Sequence, residues 1–318
     1  MDKSTPIYVA GHRGLVGSAI VRELERQGFD RPIVRTHAEV DLAQYEPTLE
    51  LLLRERPKVM FIAASRVGGI AANNDFPVDF LMCNLALQMN VFRAAHAASV
   101  ERVVFLGSSC IYPRDAPQPL AEDALLTGPL EATNRPYAIA KIAGVEMCWA
   151  YNRQHGHSWL AAMPANLYGP RDRYDLASAH VLPALLRKAH EARVGGARVL
   201  QVWGSGKARR EFLHVDDLAR ALVHLATLPD ARYRPLVAPQ SCPIVNIGSG
   251  AELTIAELAM LIVDVVDFKG TIAFDASKPD GAPRKIVDST RMRALGWIPA
   301  IGLRDGIAST YKDFKAHV

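Results

Sequence analysis

No uncharged apolar run in the 318 residues reaches membrane-spanning length, so a helical membrane protein is excluded. Cysteine is sparse: Cys83, Cys110, Cys148 and Cys242 are scattered, with no Cys-x-x-Cys spacing. That leaves no disulfide framework and no zinc motif, and no metal is expected. Charge of one sign never accumulates into a block, and a net charge of +4 falls well short of a nucleic-acid footprint. It suits an anionic small molecule. Repeats, low-complexity stretches and flexible linkers are also missing, so the parts of the chain should be interwoven and rigidly packed. From Met1 the chain enters an apolar strand within six residues, leaving no room for a signal peptide. The expectation is a reduced, cytoplasmic protein.

What is present centres on Arg135 to Tyr151, and within it on Tyr137-Ala138-Ile139-Ala140-Lys141. Tyr and Lys four residues apart on a helix share a face, one turn apart. There an ammonium can favour the phenolate of its neighbour, lowering a pKa that otherwise sits near ~10. A phenol tuned in this way can hand a proton to a developing alkoxide. The spacing alone also describes an ordinary surface pair, and its neighbours in the sequence decide between the two.

Pro6 to Ala10 reads as a strand running into Gly11-His12-Arg13-Gly14-Leu15-Val16-Gly17, followed by an amphipathic helix to about Gln27. Strand, glycine turn and helix form the setting of a dinucleotide fingerprint, here spaced Gly-x-x-Gly-x-x-Gly. The glycines allow backbone to approach a pyrophosphate, and the helix N-terminus offers it free N–H groups. A second strand is expected near Pro32 to Arg35. Arg35 and Arg13, with no carboxylate immediately after that strand, suit a 2′-phosphate, hence NADP, while Asp41-Leu42 could flank the adenine. Further strands are expected at Lys58–Ala63, Arg102–Leu106 and Trp159–Met163, with helices near 44–54 and 75–99 between them. If the extended form continues past Leu106, alternation puts Ser108 and Cys110 on one face and Ser109 on the other. This alternation of strand and helix predicts an α/β fold, a doubly wound parallel sheet. Beyond residue 170 the pattern loosens. The expected division is 1–170 with about 213–248 as the nucleotide domain, and about 171–212 with 249–318 as a smaller α/β substrate domain.

With the glycine turn, Ser108, Tyr137 and Lys141 placed, the chain resembles the extended short-chain dehydrogenase/reductases, with their Rossmann sheet and smaller C-terminal domain. Gly107-Ser108-Ser109-Cys110-Ile111-Tyr112-Pro113, Val67-Gly68-Gly69-Ile70, Trp203-Gly204-Ser205-Gly206, Arg210-Glu211-Phe212-Leu213-His214-Val215-Asp216-Asp217 and Lys278-Pro279-Asp280-Gly281 sharpen it to the GDP-L-fucose synthase family. That resemblance runs from residue 7 to the C-terminal helix. It implies epimerisation of a GDP-4-keto-6-deoxy sugar at C3 and C5, then reduction at C4 with NADPH. Ser108 and Tyr137 would hydrogen-bond the C4 oxygen, Lys141 would tune Tyr137 and bind the nicotinamide ribose, and Cys110 and His180 would exchange the C3 and C5 protons. Free thiol and imidazole, with pKa near ~8.5 and ~6.5, can each work in either direction. It also implies cofactor contacts at Leu106, Gly107, Ser109, Pro164, Asn166, Leu167 and His180. Lys188, Trp203, Arg210 and Asp280 would surround the GDP-sugar, and the assembly would be a homodimer.

The loop Arg173-Tyr174-Asp175-Leu176-Ala177-Ser178-Ala179-His180 departs from the family pattern, and Arg66 stands where Lys is frequent. A GDP-4-keto-6-deoxy-heptose is therefore an alternative substrate, and reduction without epimerisation an alternative reaction. A 4-epimerase or dehydratase is disfavoured because Ser109 and Cys110 occupy the stretch where dehydratases commonly have Glu. A regulatory NADP-binding protein is disfavoured by the intact Ser108, Tyr137 and Lys141.

Overall fold

A computed structural model describes residues 1–240, 242–278 and 280–317. Pro279 of the Lys-Pro-Asp-Gly segment lies outside them. In chain order the elements are β1 (Ile7–Ala10), α1 (Leu15–Arg26), α2 (Tyr45–Glu55), β2 (Val59–Ile62), α3 (Ile70–Asp75), α4 (Pro77–Ala97), β3 (Arg102–Leu106) and α5 (Arg135–His155). Then come β4 (Ser158–Pro164), β5 (Asn166–Tyr168), α6 (Val181–Val194), β6 (Val199–Trp203), β7 (Arg209–His214), α7 (Val215–Thr227) and α8 (Asp230–Tyr233). The remainder is β8 (Ile244–Ile247), β9 (Glu252–Thr254), α9 (Ile255–Val266), β10 (Thr271–Asp275), β11 (Arg284–Lys285), α10 (Thr290–Ala294) and α11 (Leu303–His317).

Five strands form a parallel sheet in the order β1-β2-β3-β4-β8. Every residue of β1 and β2 is buried. Such unbroken apolar runs are what a sheet covered by helices on both faces requires. The fold is the expected α/β Rossmann architecture. The strand expected at 32–35 shrinks to one bridge, Tyr8 to Ile33. Ile33 makes both of its ladder bonds, to Ile7 and Val9, but Pro32 beside it has no N–H with which to extend the ladder.

α5 carries Pro136 in its first turn and stops at Gly156, which adopts the left-handed conformation that ends a helix without strain. It packs on α4 and lies over β3 and β4. The large core gathers Ile20, Phe61, Phe92, Phe105 and Trp159, and takes in Val287, Met292, Leu295 and Trp297 from late in the chain. A second core joins Tyr168, Leu186, Phe212, Leu258, Ile262 and Phe314. α9, the hub of that core, starts with a capping box in which Thr254 and Glu257 satisfy each other's backbone N–H.

β7 joins the two cores. Its first half pairs with β11 and β9, and its second half with β5. At its centre the fully buried Glu211 carboxylate accepts the backbone N–H of Gly250 at 2.6 Å and of Val287 at 2.9 Å. Asp217, equally buried, pairs with Arg220 and accepts the N–H groups of Ala300 and Ile301. Two buried carboxylates thus pin late segments of the chain to β7 and α7.

Candidate active site

Because the five strands are parallel, their C-terminal ends share one edge, where ligands of open α/β sheets bind. At the end of β1, Gly11 has a positive φ of 83°. A Cβ on Gly17 would lie 2.1 Å from the Gly11 carbonyl oxygen, so the turn closes only on glycine. α1 follows with no side-chain cap and no acid in its first turn. An uncapped N-terminus flanked by bare backbone fits a diphosphate.

The corner beyond that turn differs from the sequence expectation. Arg13 is exposed, but Arg35 is half-buried, ion-paired to Glu55 at 2.5 Å and donating to its own neighbour's carbonyl at Val34. Glu39 folds back to accept both the N–H and the hydroxyl of Thr36, within the field of Arg13 and Arg35. Two carboxylates therefore stand near the arginines, one from α2 and one three residues past Thr36. Burial together with Arg13 holds the His12 pKa below the ordinary imidazole value, with Glu39 and the Arg35 backbone acting the other way. Asp41 accepts the N–H of Ala43, and Leu42 is buried in the large core.

At the end of β3, Leu106, Gly107 and Ser109 come to the same edge, as do Pro164, Asn166 and Leu167 at the end of β4 and the start of β5. A Cβ on Gly107 would lie 2.0 Å from the tip of the Met163 side chain, so glycine here lets that methionine lie against the turn. Asn166 is held by its amide, which donates to the Glu211 carbonyl at 2.8 Å.

The extended form stops at Ser108, and Ser109–Ile111 make a 3₁₀ turn. Alternation thus fails as the reason for Cys110's position. The turn itself brings Cys110 round, its N–H directed at Ser108 Oγ, 3.4 Å away, and its side chain packed with Phe80, Tyr137 and Ala138. Lys141 is 2 % exposed and donates to the Leu106 carbonyl at 2.7 Å, with its ammonium 5.8 Å from the centre of the Tyr137 ring. Burial lowers Lys141 to about 8 and raises Tyr137 above the ordinary phenol value. The depression of Tyr137 by Lys141 expected from their spacing is not present in this state. What opposes burial at Tyr137 is a pair of hydroxyls, Ser65 and Ser108.

His180 stands at the N-cap of α6, open to solvent on one side and crowded on the other. Crowding and the nearby charge of Lys285 lower its pKa. Burial raises the Cys110 thiol, while Lys285, Ser108 and Lys141 act against that rise. Lys285, on β11, lies within electrostatic reach of Cys110, His180, Arg210 and Glu131. Arg210, one strand over, donates to the Asp280 carbonyl at 3.3 Å. The Asp280 carboxylate caps the Gly204-Ser205 turn through Ser205 N and Oγ, each at 2.7 Å. Trp203 is 57 % exposed, with Lys188 4.6 Å and Lys278 5.6 Å from its ring centre. An exposed indole flanked by cations suits a base and its phosphates. The structure thus gathers Ser108, Cys110, Tyr137 and Lys141 into one pocket, reaches His180 through Lys285, and puts Lys188 beside Trp203 and Arg210 beside Asp280.

Sequence reasoning missed Lys285, Glu211, Ser65 and Asn84. Lys285 carried a signal, since it lies four residues beyond Gly281 of a recognised segment. Asn84 is 1 % exposed on α4 and binds the Ser65–Arg66 turn with both ends of its amide.

The model of the NAD dependent epimerase/dehydratase family matches residues 7–248. The chain is 53% identical over 317 residues to GDP-L-fucose synthase 1 of Arabidopsis thaliana, covering 100% of this chain and 95% of that protein. It is 49% identical over 308 residues to GDP-L-fucose synthase of Escherichia coli (strain K12), covering 97% and 96%. Among solved structures, a GDP-D-glycero-L-gluco-heptose synthase from Campylobacter jejuni, solved in the presence of NADPH, superposes with a TM-score of 0.92 at 32% identity, covering 99% of each chain.

Proposed function

The chain belongs to the NAD dependent epimerase/dehydratase family, on its GDP-L-fucose synthase branch, and we propose that its own pocket carries out both halves of that conversion. It is an NADP(H)-dependent epimerase/reductase that converts GDP-4-keto-6-deoxy-D-mannose to GDP-L-fucose. The observation that carries this reading is the buried cluster of Ser108, Cys110, Tyr137 and Lys141 at the end of β3. It offers a carbonyl-binding pair and a proton-exchanging thiol around one reacting centre.

One ketone serves both tasks. The C4 carbonyl acidifies the hydrogens on C3 and C5 and later accepts the hydride that NADPH supplies. Ser108 and Tyr137 hydrogen-bond the C4 oxygen, first as an enolate and then as an alkoxide, where donors of fixed direction are worth most. Tyr137 gives that oxygen its proton as the hydride reaches C4. Lys141, neutral more readily than an ordinary lysine, restores the proton to Tyr137 and holds the nicotinamide ribose. Cys110 and His180 take and return the protons at C3 and C5. Burial keeps the thiol protonated at rest, and Lys285 is the charge that most favours its thiolate. Arg210 and Lys188 receive the diphosphate, Asp280 holds the turn beside Trp203, and Trp203 stacks with the base. The glycine turn and the uncapped end of α1 hold the cofactor diphosphate, with Arg13 and Arg35 at the 2′-phosphate.

In this division of labour residues 1–170 and about 213–248 bind the cofactor, while about 171–212 and 249–318 bind the sugar nucleotide. The working unit is a cytoplasmic homodimer. Val78, Met82 and Met89 on α4 and Ile139 on α5 form an exposed apolar face that supports pairing through these two helices. The experiment offers GDP-4-keto-6-deoxy-mannose and its heptose counterpart, with and without NADPH in deuterated water. Deuterium at C3 and C5 without NADPH, and GDP-L-fucose with it, is the expected result for the hexose. Reduction only at C4, or turnover of the heptose alone, would replace this reading.

A further inference from the structure

The two proton-exchanging groups come from different parts of the fold. Cys110 lies on the turn after β3, and His180 ends the loop 171–180 that leads into α6. One dipeptide touches both neighbourhoods. Gly68-Gly69 precedes α3, and a Cβ on Gly68 would lie 3.0 Å from the tip of the Phe80 ring, which packs with Cys110 and Tyr137. On the other side, the N–H of Gly69 donates to the Ser178 carbonyl at 2.9 Å. A Cβ on Gly69 would lie 2.9 Å from the Ala179 carbonyl oxygen and 3.4 Å from that of Ser178. Gly69 has φ −67° and ψ −179°, values open to any residue, so its conformation does not call for glycine. The close approach of two backbones does.

Both sides of that contact are fixed. Asn73, 5 % exposed, donates from its amide to the carbonyls of Gly68 at 2.8 Å and Gly69 at 3.0 Å. Across the gap, the Asp175 carbonyl accepts the N–H of Ser178 at 3.0 Å and of Ala179 at 2.7 Å. The Asp175 carboxylate accepts the Ser178 hydroxyl at 2.9 Å. Further back, Arg187 of α6 donates to the Tyr174 carbonyl at 3.1 Å. The end of the loop is thus a closed turn, and the Gly69–Ser178 bond ties it to the segment after β2, two residues before the imidazole.

We propose that Gly69 is a positioning residue for His180: its N–H holds the histidine's loop against the Cys110 side of the site, and its missing side chain lets the loop come that near. This rests on the reading of Cys110 and His180 as the groups that exchange the C3 and C5 protons. Inversion takes a proton from one face of the sugar and returns one to the other, so the two groups must keep a set spacing. The sheet cannot impose it, because His180 lies outside the sheet. With alanine at position 69, the Ala179 carbonyl must withdraw by about 0.5 Å, from 2.9 Å to the 3.4 Å of ordinary contact, and His180 is the next residue.

The test compares Gly69→Ala with the unmodified protein. In deuterated water without NADPH, exchange at C3 and C5 of GDP-4-keto-6-deoxy-mannose should slow about 10-fold in kcat with little change in KM, the scale of a sub-ångström misplacement. A second readout needs no turnover. In protein labelled with ¹³Cε1-histidine, the His180 signal is identified by its loss in His180→Asn. Crowding and Lys285 hold its titration midpoint down, and a loop held less close should let that midpoint rise toward ~6.5. A merely structural glycine would lower the melting temperature and leave both readouts in place, and either readout unmoved would overturn the proposal. Should Gly69→Ala not fold, Asn73→Ala, which frees both carbonyls and keeps the glycine, is read in the same way. If the unmodified protein turns over neither the hexose nor the heptose substrate, the reading of the pocket fails by itself. The midpoint alone then judges Gly69: a rise upholds its hold on the loop, and an unmoved midpoint overturns it.

Discussion

At Tyr137 the physical problem is to make an anion where burial opposes one. Removing its hydroxyl in Tyr137→Phe keeps the ring against Phe80 and should cut hydride transfer by at least ~10²-fold, with NADPH affinity little changed. Stopped-flow oxidation of NADPH reads the first and fluorescence titration the second. Cys110→Ala should separate the two tasks, losing most deuterium uptake at C3 and C5 while slow reduction continues; NMR of the product decides. The imidazole of His180 is held below its usual pKa, so it stays neutral to lower pH than a free histidine. The acid limb of deuterium exchange should accordingly fall below ~6.5.

Asp172, in the loop that leads to His180, allows a stability test. Burial raises its carboxyl to about 7, and its Oδ2 has no hydrogen-bond partner among the described residues. Between the ordinary carboxyl value and 7 the folded protein holds a proton that the unfolded chain has released, so stability falls as pH rises through that window. Asp172→Asn should remove this dependence and raise stability at pH 8 by on the order of 1–2 kcal/mol, read from denaturant titrations at pH 5 and pH 8. The Tyr–Lys pair was legible because both residues lie on one helix. Ser65, Asn84 and Lys285 were not, because their partners come from other segments and no spacing encodes them.

At the scale of elements, the glycine turn was legible for the same local reason: strand, bare backbone and helix succeed one another within a dozen residues. The strand expected at 32–35 narrows to a single bridge, since Pro32 has no N–H with which to extend the ladder. The position of Cys110 was argued from alternation and is produced by a 3₁₀ turn instead. The cofactor corner adds a constraint invisible in sequence, the grip of Glu55 on Arg35. Arg35→Ala should raise the NADPH KM about 10-fold and leave that for NADH nearly unchanged, since only NADPH carries the 2′-phosphate. Steady-state kinetics with both cofactors measure it, and equal use of the two by the unmodified protein would contradict the assignment.

Across the whole molecule, the fold class was readable from the alternation of elements, but the return of 287–297 to the large core was not. Short irregular segments carry no periodicity, and this one is held by a buried carboxylate on a distant strand. Glu211→Ala would strip the buried N–H of Val287 and the partly buried N–H of Gly250 of their acceptor and should destabilise by about 3 kcal/mol, seen as a lower melting temperature.

The topology also bears on how the molecule comes off the ribosome. β8, which completes the five-stranded sheet beside β4, begins only at residue 244, and the carboxylate of Asp217 waits for residues 300 and 301. Until then the nascent chain presents an open, apolar β4 edge, the kind of surface that other chains pair with. The half of the protein that is translated first is thus among the last to be finished. A ribosome stalled before Ile244 leaves a fragment fit for chaperones rather than for nucleotide.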